Sequence, residues 1–307
     1  MKGLQLAEEY FKEYGMEMLE KEFSEYMPRI AAGLVGHGSE CFGYDDEVST
    51  DHDFEPRFFI WLTDDDEKEF GFKLFRAYDR LPREFKGISV KGKSSFGSDF
   101  KGVKTIREFY SFYTRTGDVP LTNADWLSIP DIYLAEATNG EVFLDNLGEF
   151  SRIRRALKND RPEDVRLKKL SSAVFNMAQS GQYNYDRAIR HGQYSAAALA
   201  LAEFCKYTAF AVYLINKEYA PYYKWLFRGM SDLGVLSELK DDIDELLKCP
   251  YGVQKNDVLI EKIAANVGAE LRSCGLANTT DNYLEPYAYQ IADRIKDASL
   301  RNAPVML

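Results

Sequence analysis

Between Gly36 and Arg57 the chain reads GHGSECFGYDDEVSTDHDFEPR, and two features of this stretch carry chemistry. Gly38-Ser39 is a small-residue turn, and after eleven further residues Asp51-His52-Asp53 leads into the aromatic run Phe54 to Thr63, FEPRFFIWLT. The aromatic and β-branched content of that run predicts a buried strand. On a strand, side chains at i and i+2 share a face, roughly 6.5 to 7 Å apart, a spacing at which two carboxylates hold a hard divalent cation. An isolated Asp-x-Asp is more often a solvated turn, so its neighbours matter. A Gly-Ser turn lets the backbone approach an anion closely, and a helix starting there would turn free N–H groups toward phosphate. Turn and carboxylates therefore suit opposite ends of a magnesium triphosphate, and the expected reaction is nucleotidyl or phosphoryl transfer.

Upstream, Leu4 to Met27 shows apolar residues at helical intervals, which predicts an amphipathic opening helix broken near Gly15. Ile30 to Val35 is small and apolar. Downstream, Asp64 to Glu69 reads as a charged turn, Phe70 to Leu81 as a helix, and Gly87 to Val90 and Gly102 to Ile106 as short strands. Beyond Glu149 strand signals fade, and helix-period segments run through 151–158, 162–181, 184–216, 219–232, 235–248 and 255–274. Pro162, Pro221 and Pro250 fall where helices should start. The expectation is an α+β chain with a mixed-sheet α/β domain over 1–150 and a helical bundle over 151–307.

The 307 residues are 45% apolar and 14% aromatic, enough for two packed domains. A formal charge of −10 supplies no global field for polyphosphate and argues against a nucleic-acid partner. The four cysteines form no C-x-x-C pair, so neither a zinc site nor a disulfide framework is indicated, and reduced thiols in a cytoplasm fit best. Nothing resembles an export signal, and the most apolar stretch, Ser195 to Ile215, contains Glu203 and Lys206, so it is read as a buried helix and no membrane partner is expected.

The string G-H-G-S-E-x-F-G-x-D-D-E-x-S-x-D-H-D-F-x-P-R resembles the DUF4037 family of the DNA polymerase β-like nucleotidyltransferase superfamily. Asp125-Trp126-Leu127, Thr138 to Asp145 (TNGEVFLD) and Tyr219 to Leu226 (YAPYYKWL) extend the resemblance over most of the chain. It implies an N-terminal nucleotidyltransferase domain and a C-terminal helical domain similar to those of kanamycin nucleotidyltransferase and HEPN proteins. Carried over by position, Gly38 and Ser39 match the phosphate-binding turn, and Asp51 and Asp53 match the magnesium carboxylates. Such enzymes usually hold a third carboxylate ahead of the segment matching Gly102 to Ile106. That segment has no acid here; Asp99 and Glu108 are the nearest substitutes, neither at the family spacing, and the third carboxylate is unassigned.

The implied partners are a nucleoside triphosphate and an unknown hydroxyl acceptor, with pyrophosphate released. A homodimer is compatible with helical domains of this kind. Without the third carboxylate, the alternative is a nucleotide-binding regulatory protein with weak or no catalysis.

Several residues have competing readings. Lys224, among Tyr222, Tyr223 and Trp225, either reaches the triphosphate or lays its stem over aromatic surface. His37 either touches phosphate or is structural, and His52 is expected to pack within the sheet. Arg57 either satisfies a phosphate or pairs with an acid, surface pairing being the commoner fate. Asp45, Asp46 and Glu47 read as a solvated loop. The eight Lys and Arg from Ser151 to Leu170 form either a solvated helix face or a strip for an RNA or nucleotide acceptor. Gln179 to Arg190 either lines a pocket between domains or caps a helix. Arg187 and His191 are too close for the HEPN ribonuclease spacing.

Overall fold

The computed structural model describes residues 1–47, 54–90, 101–249 and 254–306. The fold is α+β, and the chain divides into two compact units, Met1–Thr122 with Tyr133–Asp160 and Asn123–Ile132 with Arg161–Leu307.

The first unit is built on a mixed four-stranded sheet. In chain order the strands are β1 (Ala31–Leu34), β2 (Phe59–Leu62), β3 (Glu84–Phe85), β4 (Ile88–Ser89), β5 (Gly102–Thr105) and β6 (Glu141–Asp145), and the sheet order is β5-β2-β1-β6. β3 and β4 form a separate hairpin. The run FEPRFFIWLT yields a strand because both of its faces are buried, as its unbroken apolar character requires. Phe58, Ile60 and Leu62 join a core with Leu6, Tyr10, Phe11 and Leu74. On the other face Trp61 stacks on Phe150 at 3.8 Å and meets Phe109 edge-on at 5.3 Å. A stacked pair of this kind adds about 0.5–1.5 kcal/mol beyond the burial of its area.

Register places the site. β1 runs antiparallel to both neighbours, with Gly33 opposite Phe59 and Leu34 opposite Glu141, while β2 and β5 are parallel, with Phe59 opposite Gly102. The chain leaving β1 and the chains entering β2, β5 and β6 therefore meet at one end of the sheet.

Two expectations for this unit are corrected. The opening helix continues through Gly15, as Gly3–Tyr10, a π turn over Phe11–Gly15, and Met16–Glu22, because one face carrying Leu6, Tyr10, Phe11 and Leu19 is buried along its length. Asp64 to Glu69 is helical rather than a turn. The Thr63 side chain accepts from the Asp66 amide at 3.2 Å, and acids in a first turn complement the helix dipole.

The second unit carries helices joined by turns and loops, and no strand among its described residues. Glu163–Met177 packs against Tyr194–Ile215 and Glu285–Ala292, with Leu170, Val174, Phe204, Val212 and Ile291 buried. Where one helix was expected over 184–216, the chain turns at His191–Gln193. Gly192 has φ +68°, and the Gln193 amide donates back to the Ala188 carbonyl at 2.9 Å, which ends the preceding helix at Arg190. Tyr194–Ile215 is long and apolar enough to cross a membrane by length and composition, and its Ala197, Leu201, Phe204 and Val212 lie in the core of this unit. Asn123–Ile132 belongs here because Asn123 bonds Asp297 at 2.9 Å and Lys169 bonds the Ile129 carbonyl at 2.8 Å.

Candidate functional site

The turn Gly36–Ser39 leaves the end of β1 and enters a single 3₁₀ turn, Glu40–Phe42. It is pinned from the entrance of β6. The Gly36 amide donates to Asn139 Oδ1 at 2.8 Å, the Asn139 Nδ2 donates to the Gly36 carbonyl at 2.8 Å, and the Gly140 amide donates to the Cys41 carbonyl at 2.8 Å. Arg154 in turn donates to the carbonyls of Asn139 and Gly140 at 2.9 and 3.0 Å. Gly38 and Ser39 are half-buried, and their amides donate to no acceptor among the described residues.

Gly38 is required twice over. Its φ is +126°, and a Cβ there would meet the carboxylate oxygens of Glu40 at 2.5 and 2.6 Å. The Glu40 side chain thus folds back over Gly38, where it is 7% exposed, and pairs with Arg57, which is 4% exposed. Arg57 also donates to the His37 carbonyl at 3.4 Å, and its Nε is buried without a partner. Burial opposes the charge on Arg57, but Glu40 outweighs it and holds the guanidinium protonated.

Two further acid–base pairs stand at this end of the sheet. Lys101, just ahead of β5, binds buried Glu55 at 2.6 Å, and His37 Nδ1 lies 3.3 Å from buried Glu136. Donation from the His37 ring to the Glu136 carboxylate raises the His37 pKa above its usual value, against partial burial. Burial also pushes the nearby Cys41 thiol well above its ordinary range, which makes it inert as a nucleophile.

Asp51, His52, Asp53 and Asp99 lie outside the described residues. The described chain resumes at Phe54 and enters β2 at the same end of the sheet as the Gly38-Ser39 turn. Glu108 does not belong there. It follows the far end of β5, is exposed, and pairs with Lys104 at 3.4 Å. Lys224 stands in the second unit, exposed, on the first turn of helix Tyr223–Met230. Among the described residues no three His, Cys, Asp or Glu side chains are arranged to hold a metal. Glu40, Glu55 and Glu136 are each engaged by a base.

Sequence reasoning misread several neighbours of the turn. Arg57 is a buried partner of Glu40 rather than a surface pair. Asp45 is 5% exposed and accepts from the Gly3 amide at 2.8 Å, at the start of the opening helix, where a carboxylate meets the positive end of the dipole. The basic run from Ser151 to Leu170 is no continuous strip. Arg152 binds Asp118 and Glu149, Arg166 binds Glu163 and the Leu214 carbonyl, Lys168 is buried against the carbonyls of Ala303 and Pro304, and Lys169 binds Asp131. Gln179 to Arg190 bonds within the second unit, with Tyr183, Asn184, Arg187 and Arg190 exposed. Gln179 reaches Tyr283 and Glu285, Gln182 reaches Glu261, and Tyr185 accepts from Asn256.

The model of a domain of unknown function, DUF4037, matches residues 126–226. This bears out the resemblance over the segments that include Thr138 to Asp145 and Tyr219 to Leu226, and it does not extend to Gly36–Arg57. Among solved structures, a nucleotidyltransferase-like protein from Exiguobacterium sibiricum 255-15 aligns over 90% of this chain and 79% of its own, at 11% identity and a TM-score of 0.36. No curated protein matches the chain.

Proposed function

We propose that this protein is a magnesium-dependent nucleotidyltransferase that moves a nucleoside monophosphate from a triphosphate to a hydroxyl acceptor. The supporting observation is the convergence at one end of the sheet of the entrance to β2 and the Gly38-Ser39 turn, whose two amides donate to no acceptor among the described residues and which has a buried arginine behind it; Asp51 and Asp53 precede β2 in the sequence. Backbone N–H groups in a glycine turn suit phosphate oxygens, and Arg57 adds a fixed positive charge within reach of the turn. Magnesium, when bound by Asp51 and Asp53, supplies charge neutralisation for the triphosphate. Lys224 is a further candidate for the phosphates. In the transfer an acceptor oxygen bonds to the α-phosphorus as the bond to pyrophosphate breaks, and the hydroxyl proton passes to a base. With Glu108 at the far end of β5, Asp99 is the remaining acid of the two named for that role. The acceptor is a small molecule or a macromolecule, and the setting is cytoplasmic.

The placement of Glu108 favours a second reading, a regulatory protein that binds nucleotide without transfer. Melting curves with each of the four NTPs, with and without Mg²⁺, test the shared premise. Wild type should gain stability with one of them, by about 2.7 kcal/mol at a hundredfold excess over Kd, and the Asp51→Asn, Asp53→Asn double variant should not. No gain with any nucleotide overturns both readings. Pyrophosphate release in the presence of candidate acceptors then separates them.

A further inference from the structure

A cavity of about 530 Å³ lies wholly inside the second unit, and every residue lining it falls within the 126–226 match. Its walls are apolar, with Ile129, Ile132, Phe210, Leu214 and Pro221 among them, and its polar margin holds Asp131 and Lys169. This volume and lining are those of a small-molecule site rather than a packing defect. The charges at the margin do not balance. The Asp131 carboxylate lies 2.5 Å from Lys169 and 3.7 Å from Arg161, so two cations face one acid. Arg161 does not line the cavity: its side chain is 5% exposed, and it adds positive charge to the margin through Asp131. Lys169 has filled two of its three donor positions, with Asp131 and the Ile129 carbonyl.

We propose that this cavity binds a small apolar carboxylic acid, its hydrocarbon against Phe210 and Leu214 and its carboxylate at the Lys169 margin. The site is distinct in residues and chemistry from the Gly36–Ser39 turn and does not depend on the transferase reading.

The full chain is titrated with 8-anilinonaphthalene-1-sulfonate, an apolar anion that fluoresces on burial. One saturable site is expected, with Lys169→Gln weakening it by about tenfold as a charge-assisted hydrogen bond is lost. Ala173→Trp should fill the cavity and abolish binding. Decanoate or 2-naphthoate should displace the probe, the better of the two showing whether a chain or a ring is preferred, while decanol and decylamine should not. Because Ala173→Trp can disturb folding, methyl NMR of the wild type supplies an independent readout, in which decanoate or 2-naphthoate shifts Ile129, Ile132 and Leu214. The proposal is overturned by the absence of a saturable site, by equal displacement with decanol or decylamine, by undiminished probe binding in Lys169→Gln, or by methyl shifts confined to other residues.

Discussion

The two units bury charge in different ways. At the sheet end of the first, each described buried acid faces a base across a long stretch of sequence, Glu40 with Arg57, Glu55 with Lys101 and Glu136 with His37. In the second, Arg161 and Lys169 share Asp131, but Arg166 and Lys168, buried as whole residues, turn to backbone carbonyls. Lys168 donates to Ala303 and Pro304, both at 2.8 Å, and Arg166 donates to Leu214 at 2.8 Å as well as to Glu163. A salt pair beside an open turn can exchange partners when an anion arrives, because the base stays charged and the acid can be displaced. A lysine bonded to carbonyls has no anion to exchange and instead ties the Ala303–Pro304 segment to a helix. The first arrangement suits a ligand site and the second suits a clasp.

The comparison breaks most readily at Arg57. Arg57→Met leaves the Glu40 carboxylate buried without its partner, which should cost about 3–5 kcal/mol in urea unfolding. The Glu40→Gln, Arg57→Met double variant should recover much of that loss. A single-variant cost under about 1 kcal/mol would mean that Glu40 finds water or another base.

Lys168→Met should cost less, about 1–3 kcal/mol, because the carbonyls it leaves can be partly hydrated. Its distinguishing sign is location: amide hydrogen exchange around Ala303 should speed up in the variant more than elsewhere in the unit. Unchanged exchange there would show that Lys168 is not the clasp.

The smallest effect belongs to His37. Its pKa is raised in the folded chain, so the Glu136 pair contributes stability that is fully present below the unfolded value, about 6.5, and is lost as pH rises through the higher folded value. Since the His37 side chain is 52% exposed, the contribution should stay under about 1 kcal/mol. NMR titration should place its midpoint above that of a free histidine, and Glu136→Gln should bring it down. A midpoint that ignores Glu136 would remove this pair from the set.

Much of the fold is legible along the chain because periodicity reports burial. FEPRFFIWLT reads as a strand because both its faces are covered, and the later segments read as helices because their apolar residues follow one stripe. β1 is harder to read. Ala31–Leu34, AAGL, has neither alternation nor β-branched residues, and it is a central strand because Gly33 admits β6 so closely that a Cβ would lie 2.4 Å from the Glu141 carbonyl. The Gly38-Ser39 turn is visible in sequence, since only small residues allow it. The charged residues around it are not, because a lone Arg57 or Asp45 in a polar stretch looks solvated until its partner is known.

Local sequence thus determined the element types, the glycine turn and the order of a sheet-bearing half before a helical one, all of which depend on neighbours within a few residues. Tertiary structure alone decided which acid meets which base, that Glu108 lies at the wrong end of β5, and that Asn123–Ile132 joins the C-terminal helices around an apolar cavity. Those outcomes depend on strand register and on contacts as distant as Gly36 to Asn139, 103 residues apart, and such distances leave no periodic trace in the chain.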